Sequence, residues 1–161
     1  MNDGEGTVKI NKDLMSQMDI DENWLKLHAE KNMLAKLSIK TMSETLAEIC
    51  LKETEIPFID ENQEKEITEF DDFMYVISNK EKHFGAGAIA SNLCFEKIKE
   101  FADKKGIKNW AILPSSIHEI LLVQLEHKTT ETKTMLETMV KEVNEEQVPE
   151  KDKLSDHAYI F

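Results

Sequence analysis

Apolar residues in the first third of the chain recur every three or four positions, the period of an α-helix with one buried face. This spacing predicts a short helix over residues 12–18, a longer one over 21–36, and a third that begins after Thr41. Asp21 is a favourable N-cap for the second helix. Thr41 and Glu44 have the spacing of a capping box at the start of the third. We therefore expect the first third to be mostly helical.

In the last ninety residues the pattern changes to short continuous apolar runs, which are typical of strands buried on both faces. With one run near the N-terminus included, strands are predicted at residues 6–10, 73–78, 85–90, 109–113, 120–123 and 158–161. One helix begins at Ser91 or Asn92 and ends at Gly106, and a last one begins at Thr129 or Thr130. The order predicts an α+β fold, with a helical N-terminal third followed by a mixed or mostly antiparallel sheet whose helices pack on one face.

Residues 53–72 interrupt both patterns and are here called the acidic block. They contain nine carboxylates and a single lysine, so the segment carries −8 of the formal net charge of −12. We interpret it as an acidic linker. The predicted organisation is a single domain over 1–161, with a mainly helical lobe at 1–52 and an α/β core at 73–161.

Composition places the chain among ordered globular proteins. A chain of 161 residues with 40% hydrophobic residues can bury a core without disulfides. No apolar run approaches the ~20 residues of a membrane span. The N-terminus lacks the features of a signal peptide, so we expect a cytoplasmic protein. Cys50 and Cys94 lie at apolar positions of two predicted helices and are expected to be buried, reduced thiols.

The net charge of −12 argues against direct binding to nucleic acid or to an anionic membrane, because phosphate contact needs clustered Lys and Arg. An acidic surface can instead complement a basic protein. A solvated linker is the alternative for the same residues. The candidate partner-binding carboxylates are Asp60, Glu61, Glu64, Glu66, Glu69, Asp71 and Asp72.

A polar break between two apolar runs, residues 114–119 (the corner), concentrates reactive side chains. With one residue from the polar turn after the predicted strand at 73–78, the candidate polar cluster is Asn79, Ser115, Ser116, His118 and Glu119. A serine nucleophile needs a base within ~3 Å and an oxyanion hole. The corner has neither a GxSxG nor an SxxK pattern. Serines that hydrogen-bond local backbone in a turn are the alternative. We therefore assign no catalytic residue and do not expect an enzyme.

Two His–carboxylate pairs could in principle meet around a metal ion, since both are common ligands. They are His118 with Glu119, and His157 with Asp156. Neither pair has the HxxxH spacing of a helical site, and the chain has no CxxC pair. We therefore expect no metal and no cofactor.

The segments 74–80, 85–90 and 112–119 carry a family resemblance. From about residue 6 onward the chain resembles the C-terminal portion of a family of uncharacterised proteins of Gram-positive bacteria, their phages and conjugative elements. We expect relatives to be longer at the N-terminus. The resemblance implies no activity. It implies a context of mobile-element cargo, in which small acidic proteins neutralise host defences.

From this context we expect a non-catalytic binding protein of a phage or mobile element. Its predicted role is to inhibit a CRISPR effector or a restriction enzyme through an acidic surface, with a basic nucleic-acid-binding protein as partner. One alternative is a structural or regulatory interaction module, including a homodimer. The other is a small ligand-binding domain or enzyme centred on the corner.

Overall fold

Five strands form one antiparallel sheet in the order β1-β2-β4-β3-β5. We describe it from a computed structural model that covers residues 8–50 and 73–161, with only the backbone described at Cys50. The strands are β1 (Leu37–Thr41), β2 (Met74–Asn79), β3 (Trp110–Leu113), β4 (Ile120–Gln124) and β5 (Tyr159–Ile160). The long middle strands pair with neighbours on both sides, and β1 and β5 are the edges.

Five described helices accompany the sheet. They are α1 (Lys12–Gln17), α2 (Glu22–Lys36), α3 (Met42–Cys50), α4 (Asn92–Lys105) and α5 (Thr130–Glu146), with 3₁₀ helices at Gly85–Ala90 and Glu150–Asp152. Asp21, Ser91 and Thr129 are N-caps whose side chains accept a hydrogen bond from the first turn. Thr41 and Glu44 satisfy each other's backbone N–H groups, which confirms the predicted capping box.

The sheet is covered by helices on both faces. Tyr75 and Ile77 of β2 pack in one cluster with Ile98 of α4. Met74, which points to the other face of the same strand, packs in a second cluster with Leu136 of α5. The α+β class and the antiparallel sheet are confirmed. The prediction of helices on one face is wrong, because strands that are apolar at every position expose two faces that both need cover.

Strand β1 was not predicted. Its five residues pair with β2 from Leu37 opposite Asn79 to Thr41 opposite Tyr75. The strand follows α2 without a break. The apolar residues of this part of the chain therefore fit the period of a helix as well as that of a strand. The lobe predicted at residues 1–52 thus contributes a strand to the sheet of the predicted 73–161 core. The division of the single domain into these parts stays a prediction.

The small-residue run at 85–90 forms a 3₁₀ helix, which corrects the predicted strand. Its first peptide groups bond to the corner: Gly85 N–H donates to His118 O at 3.0 Å and Ala86 N–H to Ile117 O at 3.2 Å. The close backbone approach expected for small residues is therefore present in a different conformation. Residues 8–10 are not a strand either.

Three further predictions can be compared with the structure only where it describes the chain. Cys94 is a free, buried thiol, as predicted, whereas the side chain of Cys50 lies outside the described residues. The acidic block lies outside them as well. Within the described part of the chain, no helix has the length and apolar character needed to cross a bilayer.

The first prediction concerns the α4 core position. Ile98 is fully buried, so Ile98→Ala should lower the free energy of unfolding by about 2–5 kcal/mol through lost burial and the cavity left behind. Leu93→Ala, at a position on the same helix that is 42% exposed, should cost far less. Urea denaturation of both variants measures the difference. Equal losses would contradict the assignment of Ile98 to the core.

Candidate functional site

The corner between β3 and β4 is held by one backbone carbonyl. The carbonyl oxygen of His118 accepts hydrogen bonds from Gly85 N–H at 3.0 Å and from Ser78 Oγ at 2.8 Å. Ser78 is the last buried residue of β2, and Gly85 begins the 3₁₀ helix. The end of β2, the start of the 3₁₀ helix and the corner therefore meet at this oxygen.

Both ring nitrogens of His118 face a partner. Nδ1 accepts from the backbone N–H of Phe84 at 3.3 Å, and Nε2 lies 3.5 Å from Oδ1 of Asp152. Because Nδ1 acts as an acceptor, the proton of the neutral ring belongs on Nε2, next to the carboxylate. The ring also stacks on His83, with 4.9 Å between centroids. The imidazole is thus held by three contacts.

The two serines bond to backbone. Ser116 Oγ accepts from His118 N–H at 3.1 Å. Ser115 O accepts from Leu154 N–H at 2.9 Å, and Ile117 N–H donates to Asp152 O at 2.9 Å. These bonds join the corner to the 3₁₀ turn near the C-terminus. The side-chain bond of Ser116 is the turn chemistry given as the alternative prediction, whereas Ser115 takes part through its backbone carbonyl.

Asn79 and Glu119 lie apart from the imidazole contacts. The Asn79 side chain donates to His83 O at 2.7 Å and accepts from His83 N–H at 3.1 Å, which closes the turn after β2. Glu119 is exposed and lines a cleft on the other side of the corner. The predicted cluster is therefore one neighbourhood in the fold, but its polar groups do not converge on a common point.

The cleft has a volume of about 510 Å³ and lies between β1, the end of β2 and α3. Glu48 of α3 forms ion pairs with Lys40 of β1 and with Lys82, the latter at 2.9 Å. The pKa of the Glu48 carboxyl is lowered from 4.5 to about 2. The hydrogen bond from Lys40 is the largest cause, and the hydrogen bond from Lys82 is the second. Sequence reasoning missed this triad, because its members come from three separated segments and share no motif.

The two His–carboxylate pairs considered as metal ligands do not meet. His118 faces Asp152, and His157 lies 3.4 Å from Glu137 of α5. Asp156 accepts from the buried side chain of Asn144 at 2.6 Å. Within residues 8–50 and 73–161, no three His, Cys, Asp or Glu side chains are grouped as metal ligands would be. The seven candidate carboxylates of the acidic block lie outside these residues.

A family model described as a family of unknown function, DUF5688, matches residues 1–161. The chain belongs to this family. No curated protein and no solved structure matches it. Membership in DUF5688 agrees with the resemblance to an uncharacterised family, and the activity has to be argued from the geometry of the chain itself.

The tight contact at Gly85 yields a paired prediction for this DUF5688 protein. A Cβ at Gly85 would lie 2.6 Å from His118 O and 2.7 Å from Asn79 N, both backbone atoms that cannot rotate away. Gly85→Ala should therefore cost about 1–3 kcal/mol of unfolding free energy. Gly87→Ala should be close to neutral, since its nearest neighbour is Met33 Sδ at 3.8 Å. Chemical denaturation of the two variants tests this, and equal stability would contradict the packing.

The Glu48 triad predicts a pH dependence. The folded-state pKa of Glu48 is depressed to about 2 from 4.5, so its stabilising contribution is present above 4.5 and is lost as the pH falls towards 2. Wild type should therefore exceed Glu48→Gln in stability most clearly above pH 4.5, with the difference shrinking below it. Urea titrations across this range provide the measurement.

The matched control is Glu119→Gln, which removes another carboxylate from the same cleft. Among the described residues, no lysine lies within ion-pair distance of Glu119. Its stability difference from wild type should change little over the same pH range. A difference for Glu48→Gln that is constant with pH would contradict the ion-pair assignment.

Proposed function

We propose that this protein is a non-catalytic binding protein that inhibits a basic, nucleic-acid-handling enzyme. The observation that carries the non-catalytic part is the use of the corner's polar groups within the fold. Ser116 Oγ, both nitrogens of His118 and the His118 carbonyl oxygen each face another group of the chain. These contacts support a structural role for the residues that the sequence marks as reactive.

The tautomer of His118 strengthens this argument. A general base needs a free nitrogen lone pair within hydrogen-bond reach of the proton it removes. The Nδ1 lone pair of His118 is directed at Phe84 N–H, and Nε2 faces the carboxylate of Asp152. The Oγ of Ser116 accepts a hydrogen bond from the backbone N–H of His118. The geometry thus favours an imidazole that braces the corner over one that activates a serine.

The proposed partner follows from charge. The acidic block holds nine of the chain's 32 carboxylates, and the whole chain has a net charge of −12. Such a field attracts basic surfaces and repels phosphate backbones. CRISPR effectors and restriction enzymes present basic surfaces to DNA or RNA, and the resemblance to proteins of phages and conjugative elements favours them. We therefore propose a cytoplasmic inhibitor that occupies such a surface.

The test is inhibition of DNA cleavage by purified CRISPR effectors and restriction endonucleases with increasing concentrations of the protein. We expect at least one enzyme to be inhibited, more strongly at low than at high ionic strength. The triple variant with Glu66→Gln, Glu69→Gln and Asp71→Asn should inhibit less, because it removes three charges from the acidic block.

The matched control removes three exposed charges from α5, in the variant with Glu142→Gln, Glu145→Gln and Glu146→Gln. It should inhibit like wild type. Equal effects of the two triple variants, or cleavage unaffected throughout the enzyme panel, would contradict the proposal.

A second control separates binding from chemistry. His118→Ala should lower the unfolding free energy by about 1–2 kcal/mol, since it removes the acceptor of Phe84 N–H. Inhibition by the folded variant should persist. If inhibition disappeared while the melting temperature stayed unchanged, the corner would be a functional site and the non-catalytic assignment would be wrong.

A further inference from the structure

Within the part of the chain that the structure describes, β1 pairs with β2 along one edge and has no strand partner along the other. Lys80 N–H donates to Lys36 O at 3.0 Å, which sets the phase of the ladder between β1 and β2. Hydrogen-bonded and non-hydrogen-bonded pairs alternate in an antiparallel sheet. Ser38 and Lys40 therefore direct their peptide groups to β2, and Ile39 between them directs its N–H and C=O to the open side.

The outward backbone N–H groups at both ends of this edge have hydrogen-bond acceptors within the chain. Leu37 N–H donates to Leu34 O at the end of α2, and Thr41 N–H donates to Glu44 Oε2 at 2.9 Å. In the part of the chain that the structure describes, no group bonds to the outward N–H or C=O of Ile39. The unpaired segment is short and centred on one residue.

Two recesses lie on opposite faces of the sheet beside this edge. On one face, a groove of about 390 Å³ is lined by Leu34, Leu37, Ile39 and Phe101, with Lys97 and Lys104 among its charged residues. On the other face lies the cleft with Lys40, Lys82 and Glu48. Side chains of an extended chain paired with β1 would alternate between the two recesses.

The charges around the edge select the occupant. The residues that line the groove and the cleft include five lysines and three glutamates, a positive balance in a chain of net charge −12. Pairing of β1 with a second copy would bring two positive edges together. An acidic segment of a different protein is complementary to this edge.

We propose that β1 is a docking site for an extended acidic peptide segment of a partner protein, which adds to the sheet beside Ile39. Its apolar side chains enter the groove lined by Leu37 and Phe101, and its alternate carboxylates enter the cleft towards the exposed Lys80. None of the residues of this docking site belongs to the acidic block, so the inference goes beyond the proposed inhibition and does not depend on it.

The probe is a fluorescein-labelled synthetic peptide of alternating glutamate and aliphatic residues, Glu-Ile-Glu-Val-Glu-Ile-Glu, added to the full-length protein. Fluorescence anisotropy measures its affinity, and hydrogen exchange followed by NMR measures protection of the Ile39 amide. We expect the peptide to bind and to slow exchange at Ile39. The counterpart with lysine in place of each glutamate should bind at least about tenfold more weakly, a difference of 1.4 kcal/mol.

The decisive variants are Ile39→Pro and Ile39→Ala. Proline removes the outward N–H without removing a bond to β2, and edge positions of this kind tolerate it. The alanine variant also lacks the isoleucine side chain, but it keeps the N–H. The proline variant should bind the acidic peptide about tenfold more weakly than the alanine variant. Equal affinity of the two would overturn the proposal.

A charge variant keeps the test decisive if the proline variant does not fold. Lys80→Glu changes an exposed residue of the cleft, and Lys128→Glu changes an exposed residue on the loop before α5. Only the first should weaken binding of the acidic peptide. Equal binding of the acidic and basic peptides, or a homodimer that Ile39→Pro abolishes, would overturn the assignment. Either failure leaves the acidic block, and hence the proposed inhibition, untouched.

Discussion

The structure depends on burial of both faces of its central strands. Every residue of β2 from Met74 to Ser78 is buried, as is every residue of β3. A strand of this kind cannot lie at a wet surface, because each apolar side chain left in water would cost stabilisation of roughly 25 cal/mol per Å². Helices α4 and α5 therefore take opposite faces, and each packs in its own core cluster with residues of the sheet.

The corner follows from the same constraint. The chain leaves the buried strand β3 and returns along β4, so backbone polar groups of the half-buried turn between them need partners within the fold. The His118 carbonyl, which accepts from Ser78 and Gly85, meets part of that need. Glycine is required at residue 85 because His118 O and Asn79 N lie where a Cβ would be. The hydrogen bonding of a half-buried turn thus explains His118, Ser78, Ser116 and Gly85.

Charge has a different distribution from the polar motif. Among the described residues, the largest pKa shift is that of Glu48, between Lys40 and Lys82, away from the imidazole of His118. The lysines that line the recesses beside β1 contrast with the acidic composition of residues 53–72. The proposals for the acidic block and for β1 each concern one of these two groups of charges.

Local signals in the sequence determined much of this molecule. The caps Asp21 and Ser91, the Thr41–Glu44 capping box and the apolar run of β2 each act within a few residues, and each forms as predicted. Tertiary structure decided what depends on distant partners. Residues 37–41 become a strand because β2 lies alongside, and residues 85–90 become a 3₁₀ helix because their peptide groups bond to the corner.

The candidate site divides in the same way. Its residue types were visible in the sequence, but their roles depend on which atoms face them in space. Asp152, 34 positions after His118, and Phe84, 34 positions before it, decide what the imidazole does. The Glu48 triad joins three separated segments, and the edge at Ile39 depends on the pairing of β1 with β2. Neither feature has a local sequence pattern. The sequence by itself therefore determined the charge and the elements that carry local signals, whereas packing determined strand β1, the 3₁₀ helix and which polar groups are used within the fold.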